Sequence, residues 1–321
     1  MFFKSHQREI SVAITIAALA DVLAIAAPGY FARENLSDLF LANIPVLVVA
    51  LGMTLVILTG QIDISVGSVF AICSVAAGVL AKSGLPLPAA AIAACIVGGG
   101  LGAVNGALVA YVGIPSIVVT LASMVALRDA LRWQTQGAWV QDLPSDFQWF
   151  SLSQSAYPTV AFLSVALLVV LLAWGLRNLG AGRAIYATGS NTEGARLVGI
   201  DTSLTTFSVF VIAGALTGFA AVLNSVRFSQ IPSNTGLGLE MKVIAAVIIG
   251  GAAITGGAGT IAGTVLGVIL LGAIGPALTF LGVSAYWERA IQGGIILTAL
   301  IIDAARAHSE RHGATAAGSR A

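Results

Sequence analysis

The chain has 321 residues, of which 58% are apolar and only 9% charged, with 15 basic against 14 acidic side chains. So few charges cannot build a water-facing shell around a core of this size. That excludes a soluble globular domain, a disordered chain and a coiled coil, and a net charge of +1 gives no basic surface for nucleic acid.

Uncharged stretches set the elements. They run over 39–62, 64–81, 83–127, 147–176, 202–226 and 243–287. A membrane-spanning helix needs about 20 mostly apolar residues, so the two longest stretches each hold a helix pair. Gly113 and Pro115 punctuate the first, and Gly256-Gly257-Ala258-Gly259 the second. Together with the flanking apolar runs, spans are expected at 10–29, 41–60, 64–81, 88–110, 115–131, 157–176, 204–226, 241–256, 260–280 and 286–303. The expected fold is an all-α integral membrane protein, a polytopic bundle of about ten transmembrane helices. The segments 59–67 and 241–260 are Gly-rich enough to be either continuous or broken and re-entrant. Residues 1–303 form one transmembrane domain and 304–321 a flexible tail.

The first apolar run follows Lys4 and Arg8 and ends near Ala24-Ile25-Ala26, a pattern that a signal peptide shares. With no soluble domain after it, it reads as a retained anchor helix. Orientation follows from Lys and Arg. Lys4 and Arg8, then Arg177, Arg183 and Arg196, then Arg306, Arg311 and Arg320 fall on one side for an even number of spans. That side is expected to be the cytoplasm, with both termini in it. Arg33, Lys82, Arg132, Arg227, Lys242 and Arg289 lie near span ends on the other side.

Small residues recur at helical spacing. Gly98, Gly102 and Gly106 are one set, Gly214 with Gly218 another, Gly263 with Gly267 a third. Such spacing lets two helix backbones approach closely in lipid. Cys73 and Cys95 lie in apolar runs and read as small buried hydrophobes.

Polar residues inside spans discriminate more. Asp63 lies in Thr59-Gly60-Gln61-Ile62-Asp63-Ile64-Ser65-Val66-Gly67. An ionised carboxylate must sit at an interface, in a wet cavity or against a partner. Two roles are open: satisfying backbone groups where two helices meet, or touching a substrate or coupling ion. Gln61, Asp63, Ser65, Asn105, Thr120 and Asn224 are the candidate pathway or broken-helix residues. Asn43 and Ser123 are weaker candidates of the same kind. Asp21, within the first span, carries no functional claim.

The longest outward loop, 132–156, carries Trp133, Trp139, Phe147 and Trp149, with Tyr157 just beyond. These rings read as membrane-surface anchors before a docking face. The substantial inward loop, 177–204, has soluble character. Ser190 and Glu193 suggest a capping box and Gly199 a helix stop. The short amphipathic helix between them offers Ala195 and Val198 on its apolar side. A helix this short is not stable alone in water, so the bundle, a lipid surface or a cytoplasmic partner must hold it.

No Gly-rich phosphate loop is present, and the histidines are His6, His308 and His312, all in the tails. ATP binding in the usual loop, haem or zinc ligation in the bundle, and Ser–His–Asp catalysis are therefore not expected. The chain reads as a conduit without covalent chemistry or a cofactor of its own.

Four blocks carry a family resemblance. They are Thr59 to Ser68; Gly99 to Gly106 with Gly113-Ile114-Pro115-Ser116 to Leu121; Gly182-Arg183-Ala184-Ile185-Tyr186 to Ile200; and Gly238-Leu239-Glu240 with Ile244 to Gly251 and Gly256-Gly257. They occur in order over most of the chain. With them the chain resembles the membrane permease subunit of bacterial sugar importers of the ATP-binding-cassette class, in the ribose, arabinose, xylose, rhamnose and autoinducer-2 set. Gln61 stands where that family often has Gly, and Arg128-Asp129 where Arg-Gly is common. The Trp-rich stretch Leu127 to Phe150 looks most like the rhamnose-type branch.

The resemblance implies a paired permease, a second copy or a paralogue, in the bacterial inner membrane. It implies a cytoplasmic ATPase, often a tandem polypeptide, that uses ATP and Mg, and a periplasmic binding protein that delivers a monosaccharide, rhamnose being one expectation. Arg183, Asn191, Glu193 and Gly194 would couple to the ATPase. Alternatives are the same machine carrying a nucleoside, polyol or signalling sugar, an ion-coupled secondary transporter or channel using Asp63, and a non-transporting scaffold.

Overall fold

The computed structural model describes residues 7–284 and, after them, 286–288, 290, 291, 293, 294, 297 and 298. The expected span 286–303 is therefore covered only in part. The tail 304–321, Lys4, His6, His308, His312 and Arg289 lie outside the described residues.

The described chain is helical. It runs through α1 (Gln7–Ala26), α2 (Arg33–Leu58), α3 (Val66–Lys82), α4 (Leu87–Ala110), α5 (Ser116–Thr135), α6 (Tyr157–Asn178), α7 (Gly180–Ser190), α8 (Thr192–Leu197), α9 (Thr202–Ser225), α10 (Leu239–Ile249) and α11 (Ile261–Phe280). Local chemistry sets the ends. Pro115 precedes α5, and Pro158 lies in the first turn of α6, where a missing N–H costs nothing. Asp201 caps α9 by accepting from Leu204 N at 2.8 Å, and Thr260 caps α11 by accepting from Gly263 N at 2.9 Å.

Among the described residues, α1 (from Glu9), α2, α4, α6, α9 and α11 are long and apolar enough to cross a membrane, and α3 is a shorter apolar helix. The helix α5 spans 20 residues, but Arg128, Asp129 and Arg132 weaken its apolar character. The helix α2 begins eight residues before the expected 41, and α10 stops at Ile249, short of the expected 256. The chain then breaks over 250–260 before α11 resumes.

Burial sorts the helices. The apolar window of α2 is 83% buried, whereas those of α1 and α6 are 11% and 17% buried. Thus α2 and α9 form the centre, and α1 and α6 present Ile14, Ile25, Leu163, Leu167 and Val170 outward, as helices facing lipid tails do. The glycine spacing is explained by two seams. In one, α4 meets α9 with Gly98 on the Gly214 backbone, Gly102 on Phe210 and Gly218 on Ala94, so a Cβ at any of them would strike main chain. In the other, Gly250 faces Gly263 and Gly267 faces the Ala246 carbonyl, joining α10 to α11. Cys73 is fully buried and Cys95 half-buried.

The two ends of the bundle differ. At one end lie α7 and α8. At the other, the segment after α5 folds back over the segment after α9. Val140 and Ile231 exchange backbone hydrogen bonds at 2.9 and 3.0 Å, and Trp149 N donates to Val226 O at 2.7 Å. Phe147 is fully buried, Trp149 packs edge-on against Tyr157, and the Tyr157 hydroxyl donates to Leu223 O at 2.6 Å. These three rings are internal packing, which corrects the surface-anchor reading for them. Trp133 and Trp139 do face outward. The outer loop is also shorter than expected at its start, because α5 continues to Thr135.

Candidate functional site

The site starts where α2 stops. Gly60, at φ +76°, turns the chain after Leu58, and residues 59–65 run without regular helix until α3 begins. A broken segment at membrane depth must have its polar groups satisfied by protein. Asp63 supplies part of this: its Oδ1 accepts from Ser65 N at 2.9 Å and from Ser65 Oγ at 2.6 Å. Ser65 Oγ in turn accepts from Asn105 Nδ2 at 2.9 Å, and Asn105 Oδ1 accepts from Ser123 Oγ at 2.6 Å. Ser116 Oγ accepts from Ile62 N at 3.2 Å, and Thr120 Oγ1 reaches Ile62 O at 3.4 Å. Asp63, Ser65, Asn105 and Thr120 are all buried.

The structure thus brings together Asp63, Ser65, Asn105, Thr120 and Ser123, and it stitches the break to α4 and α5. Gln61 lies on the same break and is half-buried. Asn224 is not among them. It sits at the far end of α9, where it lines two cavities of about 350 and about 950 Å³. Asn43 bonds its own helix through Leu39 O at 2.7 Å, and it lies against Gly272 of α11.

The α7 end is a second functional region. Asn191, not Ser190, caps α8: its Oδ1 accepts from Gly194 N at 2.8 Å. Ser190 is the last residue of α7, so the expected Ser190–Glu193 capping box is replaced by an asparagine cap one residue later. Gly199, at φ +84°, turns the chain just beyond α8. Ala195 is buried, whereas Leu197 and Val198 are 87% and 76% exposed. Arg183, Asn191 and Glu193 are also exposed, and Gly194 is half-buried beneath the Asn191 side chain.

The C-terminal turn of α7 is wedged against both helix breaks. A Cβ on Gly189 would strike the Leu58 carbonyl at the end of α2 and Gly257 in the 250–260 break. Gly257 N itself donates to Leu58 O at 2.9 Å. The Tyr186 hydroxyl donates to Gly259 O at 2.8 Å. Burial pushes this phenol above its ordinary value, so it remains a protonated donor at neutral pH. Gly189 and Tyr186 carry no site signal of their own in the sequence. Both lie in the block that carried the resemblance, but their contacts join segments about 70 and 130 residues apart, beyond the reach of local pattern.

Among the described residues no group of three or more His, Cys, Asp or Glu comes together as a metal site. A dense helical bundle with buried helix breaks and a short exposed helix pair at one end is the architecture of a polytopic membrane permease subunit. The chain belongs to the family described as branched-chain amino acid transport system / permease component, whose model matches residues 35–300.

Its relatives include the autoinducer 2 import system permease protein LsrC of Enterobacter sp. (strain 638), 37% identical over 92% of this chain and 86% of that protein. LsrC of Yersinia pseudotuberculosis serotype O:3 (strain YPIII) is 36% identical over 94% of this chain and 86% of its own length. LsrC of Escherichia coli (strain K12 / DH10B) is 37% identical over 94% and 88% respectively. No solved structure matches. These relatives overturn the rhamnose-type branch expected from Leu127 to Phe150. The aromatic residues behind that expectation include Phe147 and Trp149, which fold the outer loop onto the bundle. The chain is a multi-pass inner-membrane permease subunit rather than an enzyme.

Proposed function

We propose that the chain forms one part of the membrane pathway of an ATP-driven importer, with a small signalling sugar of the autoinducer 2 type as its solute. The names of the relatives support that solute class. The mechanism rests on one observation: the helix pair α7–α8 exposes Leu197 and Val198 on one side while Gly189 and Tyr186 lock its other side to both helix breaks.

In this reading a cytoplasmic ATPase pair using ATP and Mg docks on α8. Arg183, Asn191, Glu193 and Gly194 lie at or beside the contact, and Asn191 and Gly194 hold the α8 cap. Closure of the ATPases pulls α7–α8. Because Gly189 abuts backbone rather than a flexible side chain, the pull reaches Leu58 and Gly257 together. The bundle then exchanges its inward- and outward-facing states, and the driving ligand shifts them only by its differential affinity. A second permease copy or paralogue completes the pathway, and a periplasmic binding protein delivers the solute. The transmembrane domain covers 1–303, with about ten spans and both termini in the cytoplasm.

Uptake of labelled autoinducer 2 and ribose by cells with and without the chain tests this. The expected result is uptake that needs the chain and stops when arsenate depletes ATP. Uptake that survives ATP depletion but collapses with a protonophore overturns it in favour of ion coupling.

A further inference from the structure

Asp63 spends its Oδ1 on the protein itself, because Ser65 occupies that oxygen twice, and Asn105 and Ser123 close the chain of bonds. A solute that must be held and released needs groups still open to it. Such groups lie elsewhere. The cavity of about 950 Å³ at the end opposite α7 is lined by Asn224, Thr235, Glu240, Lys242 and Glu288 among polar residues, with Phe70 on its wall. Glu240 Oε2 is buried against the Gly67 backbone, in the first turn of α3, and has no hydrogen-bond partner among the described residues. An unpartnered buried carboxylate oxygen costs free energy unless something completes it.

Among the described residues, two acidic groups, Glu240 and Glu288, and two basic groups, Lys242 and the nearby Arg128, stand at this cavity. Lys242 Nζ lies 4.0 Å from Glu288 Oε1. Arg128 lies within electrostatic reach of Glu240 and donates to Thr235 O at 3.0 Å. These four described charges balance in sign, while the lining offers hydroxyl groups a carboxylate acceptor and an amide. An apolar ring beside polar groups suits the C–H face of a sugar.

We infer that this cavity is the solute chamber of the pathway, that it takes a small neutral polyhydroxylated solute, and that Glu240 accepts a hydrogen bond from one of its hydroxyls. The inference rests on the importer reading above and adds the site. It moves the solute contact from Asp63 to Glu240, whose place opposite α3 depends on the turn through Gly236 and Gly238.

The test uses the full importer in cells and a cysteine reporter on the cavity wall, Thr235→Cys, with Leu237→Cys as a second reporter. Cys95 is replaced by alanine and the buried Cys73 is kept. Labelling by an anionic and by a cationic methanethiosulfonate is followed with and without autoinducer 2, ribose or rhamnose, and uptake of each sugar is measured in the same cells. The expected result is labelling by both reagents at rates within about threefold, slowed by whichever sugar is taken up. Adding Glu240→Gln, which keeps a neutral acceptor, should raise the protecting concentration about tenfold relative to unprotected labelling of the same variant, the difference between a charge-assisted and a neutral hydrogen bond. Gluconate and choline should not protect. If any of the sugars is taken up yet none protects either reporter, the chamber assignment falls and the importer reading stands. Protection that is unchanged by Glu240→Gln overturns the role of Glu240. If none is taken up and none protects, the sugar-importer reading falls and the chamber with it.

Discussion

Replacing Asp63 distinguishes a structural carboxylate from an ion-binding one. Asp63→Ala removes both bonds to Ser65, at 2.9 and 2.6 Å. The orphaned buried Ser65 N–H costs about 1–3 kcal/mol, and the lost hydroxyl bond adds about 0.6–1.7 kcal/mol at membrane depth. A total of about 2–5 kcal/mol corresponds to a fall in unfolding temperature of about 3–7 °C for a chain of 321 residues, at about 2.1 cal/mol/K of unfolding entropy per residue. Asp63→Asn keeps an oxygen in the place of Oδ1, so its loss should stay within about 1 kcal/mol. Thermal unfolding of the purified chain in mild detergent, followed by size-exclusion chromatography, reads both variants. In a cycle with Ser65→Ala, the second substitution should cost less in the Asp63→Ala background than in the native chain, because the two groups share one network. The reasoning is refuted if Asp63→Asn is as damaging as Asp63→Ala, since the negative charge rather than the acceptor would then be what matters. Unchanged stability in Asp63→Ala refutes it equally.

Further expectations concern the α7 end and the seams. Gly189→Val forces a side chain onto the Leu58 carbonyl and Gly257; overpacking against backbone costs about 1–3 kcal/mol, and sugar uptake should fall about tenfold or more at an unchanged membrane level, as immunoblot and uptake assays would read. Glu193→Ala, at an exposed position, should abolish coupled uptake while moving stability by no more than about 0.5 kcal/mol; normal uptake would remove Glu193 from the coupling contact. Leu197→Glu with Val198→Glu should block uptake by preventing ATPase docking, with thermal stability preserved because both side chains are exposed. Gly214→Leu places a side chain into the Gly98 and Gly102 backbone and should separate α4 from α9, read as loss of folded protein in detergent.

The parts of this molecule that were legible in the sequence are those governed by local periodicity. The spans 88–110, 157–176 and 260–280 meet helices Leu87–Ala110, Tyr157–Asn178 and Ile261–Phe280 within a few residues, because hydrophobic length fixes them. The Gly98 and Gly214 spacings also carried their meaning, as the close seam between α4 and α9. Asp63, Ser65, Asn105 and Thr120 were legible as polar residues in apolar surroundings, and such residues must find one another. What was not legible depends on chain reversal. Phe147 and Trp149 look like surface rings until residues 136–156 fold back onto Val226 and Ile231. Asn224 looks like a companion of Asp63 until its position at the far end of α9 separates them. Glu240 looks like an ordinary helix-start carboxylate until Gly67 is found against it. The asparagine cap at Asn191 displaced the Ser190 capping box because α7 continues through Ser190, which no local signal announced.

A crosslink at Val198 tests most directly whether α8 is where an ATPase grips the permease. A photoreactive residue placed there in the complete importer, illuminated in native membranes and followed by mass spectrometry, should give an adduct to an ATPase carrying a phosphate-binding loop, with a yield that changes on adding ATP. Adducts to lipid alone, with no ATPase joined at Val198 under any nucleotide condition, would contradict the account.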